Sequence, residues 1–384
     1  MHKMFANRLR QTSLSVLAAS ILSTGAMTVP STAFADIKIS GDFRFRMESD
    51  WDSVKSDGVT EREDRTRARI RARLRLNYDH NNWASFGAQV RSGSDDSHQS
   101  PNTTIVDFDD NDTGDADFNF DKWFFKAKAK GAWAWFGRND LPFWNQNEMF
   151  WSGNVTVAGI GTGFKAGSNT SVAVNAGYFS LPVGMKEFSG NLGLGQLIFN
   201  SKFGGGSFTA TAGLLSFEAN PDDADASILL NNNGLRDYNI WIGSLQAKFM
   251  AGSLPLKFGV DWMHNDEDYS ETDPDPFTVE NRDEVDGYVA SIHLGETKAA
   301  GDWQLGYYYA HIETLAVNAS YAQDDWARWG SAVESRLSNM EGHELRFKYQ
   351  ANKELNIIAR LYMVEAITTE EDGNRFRLDF NYKF

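Results

Sequence analysis

Six arginines stand at every second position of "RTRARIRARLRLNY": Arg65, Arg67, Arg69, Arg71, Arg73 and Arg75. A guanidinium stays charged at any ordinary pH and carries five donors in a planar fork. A row of them attracts and orients anions but moves no protons. Successive side chains of a strand point to opposite faces, so an extended segment puts all six on one face. The same phase recurs with Arg44 and Arg46 in "GDFRFRME", Arg346 in "HELRFKYQA", Arg360 in "LNIIARLYM" and Arg377 in "FRLDFNYKF". Carboxylates are interspersed at Asp42, Glu48, Glu344 and Asp379. Two readings stay open. The arginines form a basic wall facing an acidic loop across a narrow passage, or they are neutralised by these carboxylates and only keep an interior wet.

Other chemistry is sparse. There is no cysteine, and none of the histidines has zinc-site spacing. No G-x-S-x-G elbow occurs. An enzyme is not expected; a Ser/His pair on the outer wall of a barrel, as a lipase would need, is the one catalytic arrangement that spacing leaves open. The acidic runs "DFDDNDTGDAD" (107–117) and "HNDEDYSETDPDPF" (264–277) share the composition of calcium loops. The first lacks a well-placed final Glu. They read as solvated external loops, which divalent ions could bridge to lipopolysaccharide. No metal site and no cofactor is expected. The formal charge of −15 argues against a nucleic-acid binder.

What must position the arginines is written in the same alternation. Sixteen segments of about ten residues with period-2 patterning run from 37–48 to 373–384, the signature of a transmembrane barrel. Seven connections are very short, such as "KG" (130–131), "SN" (168–169) and "GG" (204–205), and alternate with eight longer, mostly acidic ones. A soluble sandwich or propeller rarely alternates its loops so strictly, and no blade repeat is present. The expected fold is all-β: a 16-stranded antiparallel transmembrane barrel closed by pairing of the first and last strands. The phase follows from energetics. Ala68, Ile70, Ala72, Leu74 and Leu76 must meet lipid, because an arginine there costs about 2–4 kcal/mol at mid-depth. The arginines then face a lumen which sixteen strands leave water-filled.

Residues 1–35 read as a secretory leader. Lys3, Arg8 and Arg10 precede an apolar Ala/Ser-rich stretch, and Ala33-Phe34-Ala35 is an A-x-A cleavage site. Cleavage removes three positive charges and takes the formal charge from −15 to −18. No later apolar run is long enough for a membrane helix. The barrel is expected over 36–384, with no room before the first strand for a plug.

Loop 140–156, "DLPFWNQNEMFWSGNVT", is the candidate constriction. Phe143, Trp144, Met149, Phe150 and Trp151 would not favour water, so the loop is expected to pack inside the barrel, or else against a neighbouring subunit. Asp140 and Glu148 are its carboxylates. At the end of the chain Leu378, Phe380, Tyr382 and Phe384 alternate with polar residues. This resembles the C-terminal targeting signal of outer-membrane proteins, and implies recognition by the barrel-assembly machinery through Phe380, Tyr382 and Phe384. The stretch "WAWFGRNDLPFWNQNEMFWSGNVTVAGIGTGF" (133–164) resembles the bacterial "putative porin" family, and a loop after strand 5 that folds into the lumen is a general-porin feature. The resemblance implies an outer-membrane porin for passive diffusion of small hydrophilic solutes and ions, embedded in lipid and lipopolysaccharide, with a homotrimer as the usual assembly. An oxyanion-selective channel and a non-conducting surface adhesin are the alternatives. Neither motif implies a substrate.

Overall fold

The computed structural model describes residues 36–114, 116–229, 232–329 and 337–384. The leader expected over 1–35 lies outside the described residues. Sixteen strands make the wall: β1 (Asp36–Trp51), β2 (Arg65–Asp79), β3 (Ala84–Ser92), β4 (Phe118–Ala129), β5 (Ala132–Asp140), β6 (Thr156–Gly167), β7 (Thr170–Val183), β8 (Glu187–Phe203), β9 (Gly206–Glu218), β10 (Tyr238–Ala251), β11 (Leu254–Asn265), β12 (Asp286–Gly295), β13 (Trp303–Ile312), β14 (Met340–Gln350), β15 (Leu355–Glu365) and β16 (Asp372–Lys383). Each pairs antiparallel with the next, and β16 pairs with β1 from Asp42↔Lys383 to Trp51↔Asn374. The ring is closed and has no edge strand to recruit another chain. No helix among the described residues is long and apolar enough to cross a membrane.

The usual relation of inside to outside is inverted. Ile37, Phe43, Leu74, Leu197, Trp241, Phe258 and Phe380 are among the large apolar side chains left exposed, all on outward-facing positions. Arg46, Arg91 and Arg377 are among the largest side chains buried almost completely. In lipid every backbone group must be satisfied internally, and only a closed barrel does this with strands.

Three details depart from the sequence reading. The fourth long connection is a turn of only 184–186, because β7 and β8 run on to Val183 and Glu187. Asp140 is the last residue of β5, opposite Thr156 of β6, so the loop proper is 141–155. Finally, β3 pairs only with Arg73–Asp79 of β2; the upper part of β2 instead takes a short loop strand, Thr103–Asp107, as its partner.

The apolar core lies inside the barrel. Met149, Phe150 and Trp151 of the 141–155 loop pack among inward-facing Phe179 (β7), Leu192 (β8), Leu215 and Phe217 (β9) and Ile240 (β10). Burying Met149 and Phe150 alone is worth about 1.5–3 kcal/mol each, enough to keep the loop out of water. A second loop shares this core. Residues Leu315 to Trp329, between β13 and β14, include Val317, Tyr321 and Trp326, all buried, and Tyr321 stacks on Trp151 at 5.3 Å. The glycines of β6 make room for the rings of β5. A Cβ on Gly161 would stand 2.7 Å from the Trp135 ring, and one on Gly163 2.6 Å from the Trp133 ring.

Candidate functional site

Around the closure, β14, β15, β16, β1 and β2 are neighbours and carry the arginines on their inner face. Cross-strand register sets Arg44 opposite Arg71, Arg46 opposite Arg69, and Arg360 opposite both Arg346 and Arg377. Arg65, Arg67, Arg73, Arg75 and Arg375 extend the same wall. Twelve arginines thus share five strand carboxylates, Asp42, Glu48, Asp50, Glu344 and Asp379.

The sharing is specific. Asp42 receives Arg71 (2.8 Å), Arg73 (2.9 Å) and Arg75 (2.8 Å). Glu48 pairs with Arg67, with Arg69 at 3.6 Å and with Arg377 at 2.5 Å. Asp379 holds Arg46 at 2.6 Å and pairs with Arg360, while Arg44 stands 3.9 Å away. Glu344 holds Arg346 at 2.5 Å and Arg360 at 3.6 Å. Asp50 takes Arg65 and Arg375. The pairing is uneven along the wall. Arg46 and Arg377 are enclosed by partners. Arg44 donates through Nε to Asn381 at 2.6 Å, and Arg71 through Nη2 to Asp42; among the described residues, neither Nη of Arg44 and not Nη1 of Arg71 has a hydrogen-bond partner.

Arg44 and Arg71 border two cavities. A cavity of about 280 Å³ lies between the wall (Arg44, Arg71, Arg346, Arg360) and the 141–155 loop (Asn145 to Met149). A second, of about 570 Å³, continues toward the short turns at Lys298 and Lys353. Both are lined by Arg44, Arg71, Glu148 and Asn154.

The 141–155 loop is tied to the wall opposite the arginines. Trp144 exchanges two backbone bonds with the Gln196 amide of β8, at 2.7 and 2.8 Å. Gln146 donates to the carbonyls of Leu245 and Val260 at 3.1 and 3.0 Å, and Asn147 bonds Asp261. The Phe143 ring meets Phe150 edge-on at 5.5 Å. The two loop carboxylates named from sequence line different cavities. Glu148 is exposed to the cavity and accepts the Gly153 N–H at 3.1 Å. Its deep position and the nearby Asp325 carboxylate push its pKa above the ordinary Glu value. Asp140, held by Lys122 at 2.6 Å, lines a separate cavity of about 440 Å³ with Arg73 and Arg75.

The loop between β13 and β14 was not foreseen as part of the site. Ser152 N–H donates to Tyr321 O at 2.7 Å and Gln323 N–H to Glu148 O at 3.0 Å, joining the two loops backbone to backbone. His98, in the loop after β3, accepts Gly184 N–H on Nδ1 (3.1 Å) and donates Nε2–H to Ser320 O (2.6 Å). Burial lowers its pKa to about 4, so the ring is neutral, as this pairing requires. Arg91 and Arg138, isolated arginines in the sequence, also serve the loops. Arg91 donates to Ser97 O (2.6 Å) and Asn154 O (3.0 Å), and Arg138 to Met185 O (2.6 Å).

At the end of the chain Phe380 and Tyr382 pair with Phe45 and Phe43, and Phe384 exchanges two backbone bonds with Gly41 at 3.0 and 3.1 Å. All three aromatics point outward. The acidic run after His264 caps a short helix, Pro276–Asn281, through Asp275. Among the described residues no group of three or more His, Asp or Glu is placed to hold a metal ion.

A closed sixteen-stranded barrel with an apolar exterior, a charged lumen and loops folded across it defines a fold class, the transmembrane β-barrel of the porin type. Residues 54–195 match the model of the family described as "Putative porin". Similar solved structures include Pseudomonas putida OprB, at 12% identity over 91% of this chain and 94% of that one, with a TM-score of 0.56. Salmonella typhi OmpF, solved with daunomycin, shares 11% identity over 91% and 97%, TM-score 0.51. A loop L8 deletion mutant of Vibrio cholerae OmpT shares 12% over 91% and 99%, TM-score 0.51. At these identities the likeness concerns the fold. No curated protein matches the sequence.

Proposed function

We propose that this porin passes small hydrophilic solutes with a weak preference for anions, and that the passage between the arginine wall and the 141–155 loop is where the preference arises. The observation carrying this reading is the imbalance of the wall. Twelve arginines share five strand carboxylates, and the unpartnered nitrogens of Arg44 and Arg71 lie at the junction of two cavities. The formal charge of the whole chain is −15, which by itself would favour cations. Most acidic clusters lie in connecting loops, however, and at a Debye length of roughly 8–10 Å charges farther than that from the passage are largely screened. Charge in the narrow section is screened less and its field is focused by low-dielectric walls, so local charge outweighs the total.

The zero-current potential of single channels in a planar bilayer, across a potassium chloride gradient, tests this. Weak anion preference is expected at low salt and near-neutral behaviour at high salt. Strong cation selectivity at about 1 M salt, where the Debye length is roughly 3 Å, would refute it.

Three further proposals complete the reading. The leader is removed after Ala35, which the mass of the purified protein checks directly. The terminal Phe380, Tyr382 and Phe384 are read by the barrel-assembly machinery. The barrels assemble as trimers in lipid and lipopolysaccharide; a trimer form of Vibrio cholerae OmpT, which shares the fold, supports this.

A further inference from the structure

The loop between β13 and β14 carries two carboxylates in a row, Asp324 and Asp325, followed by Trp326. Trp326 is 2% exposed and lies against the Tyr362 ring at 5.7 Å. Arg375 donates to the carbonyls of Asp325 (2.8 Å) and Ala327 (3.1 Å). The backbone at 325 is thus fixed on the arginine wall by groups other than its own side chain. From there the Asp325 carboxylate reaches Arg46 at 3.5 Å and pairs with Arg377.

Each arginine also has a strand partner, met through other nitrogens than the Nη1 atoms that face Asp325. Arg46 already holds Asp379 at 2.6 Å, and Arg377 holds Glu48 at 2.5 Å. Asp325 is a negative charge delivered by a loop to a wall on which twelve arginines share five strand carboxylates. It also lines the cavity of about 280 Å³ beside Arg44 and Arg360.

We propose that Asp325 is a selectivity-determining residue: a counter-ion tethered on the second inward-folded loop, which occupies on the arginine wall the place a permeating anion would take and so limits the channel's preference for anions. The inference rests on reading the lumen as a weakly anion-preferring channel. It explains how a wall so rich in arginine remains compatible with general diffusion: a bare wall would hold anions, and conduction requires that they leave as readily as they enter.

The test compares wild type, Asp325→Asn and Trp326→Ala in planar bilayers at about 0.1 M potassium chloride, each first shown to be a folded barrel by its heat-dependent gel migration. Asn keeps the size and hydrogen-bonding reach of Asp and removes only the charge. One unit charge acting on both ions at about 8 Å gives an expected two- to sixfold rise in the chloride-to-potassium permeability ratio, the lower figure allowing for screening. Single-channel conductance should stay near that of wild type. Trp326→Ala, which frees the loop, should instead raise conductance. An unchanged permeability ratio in Asp325→Asn overturns the proposal. So does a ratio that rises only together with the conductance increase of Trp326→Ala, because the carboxylate would then be a staple for the loop. If folded wild type does not conduct at all, the channel reading fails, and this inference with it.

Discussion

Replacing Arg44 and Arg71 together by Gln probes the wall where it is open. The structure makes this pair the safe choice. Removing Arg71 leaves Asp42 with Arg73 and Arg75, and removing Arg44 leaves Asp379 with Arg46 and Arg360. No buried carboxylate is orphaned, so the cost of breaking a buried ion pair does not arise. The magnitude follows from Coulomb's law. An ion on the cavity axis about 7 Å from a guanidinium gains or loses about 0.6 kcal/mol through water. Screening at 0.1 M, with a Debye length of about 10 Å, halves this to about 0.3 kcal/mol. Two charges act with opposite sign on chloride and potassium, which sums to about 1.2 kcal/mol, or roughly an eightfold fall in the chloride-to-potassium permeability ratio. At 1 M the Debye length is about 3 Å and the same change should shrink to roughly 1.5-fold. The assay is the reversal potential of single channels at both salt concentrations, with heat-dependent gel migration confirming the barrel. A double variant that reverses at the wild-type potential near 0.1 M would refute the reasoning, and the open nitrogens of Arg44 and Arg71 would then have no part in permeation.

Three other perturbations address separate parts of the molecule. Changing Phe384 to Asp should impair membrane insertion far more than changing Lys383 to Asp, because the Phe384 ring lies over Gly41 on the lipid side and Lys383 borders the lumen; equal yields of heat-modifiable protein from both would show the phase to be wrong. Deleting Phe143 to Trp151 should raise single-channel conductance while the barrel still assembles, since the loop lies in the core without forming part of the wall; unchanged conductance would remove the loop from the passage. Lowering the pH from neutral into the acid range should increase anion preference, because Glu148, held above the ordinary Glu value of about 4.3 by its deep position and the Asp325 carboxylate, loses its charge as the pH falls. Arg377 and Arg46 keep Asp325 ionised well below the usual carboxylate range, so Asp325 does not follow over this interval. In Glu148→Gln the pH effect should disappear, and a persisting shift would assign the titration to another group.

The barrel was legible because lipid imposes a rule on every second residue. On β2 and β16 one row is apolar and the other charged, so phase, strand number and closure follow from the alternation. The content of the lumen was less legible, and β8 shows why. Its outer row carries Leu197 and Phe199, but its inner row also carries Leu192, Leu194 and Ile198. A strand apolar on both rows must be covered on both sides. The lumen there had to be filled, and the aromatic 141–155 loop accounts for only part of the filling. The rest is "TLAVNASYA" (314–322), a stretch without charge among otherwise acidic external loops. Joined to the inner row of β8, that composition was the available signal for the second inward loop. Asp325 had no comparable signal. Which arginines an acidic dipeptide meets depends on how a loop crosses a barrel, and no local pattern encodes that. The pairing of Arg91 and Arg138 with loop carbonyls was hidden for the same reason.

The arginine wall breaks a local rule. Like charges directly opposite each other on neighbouring strands are destabilising. Here Arg44 faces Arg71, Arg46 faces Arg69, and Arg360 lies between Arg346 and Arg377. Folding by itself asks for none of these pairs. Interior Ser, Thr, Asn or Gln would keep the lumen wet with fewer buried charges, and β9 and β10 do this with Thr209, Thr211, Ser244 and Gln246. The strand carboxylates make the wall tolerable by sharing: Asp42, Glu48 and Asp379 each serve three arginines, so the repulsion is offset without the charge being cancelled. A fold that concentrates positive charge on one inner wall, and seats one loop carboxylate on it and another across the cavity from it, departs from local consistency where functional sites are expected to. Facing arginines are densest on the five strands around the closure; Arg73 opposite Arg91 on β3 and Lys248 opposite Lys257 on β10 and β11 are the like-charged pairs that lie beyond them on the inner wall.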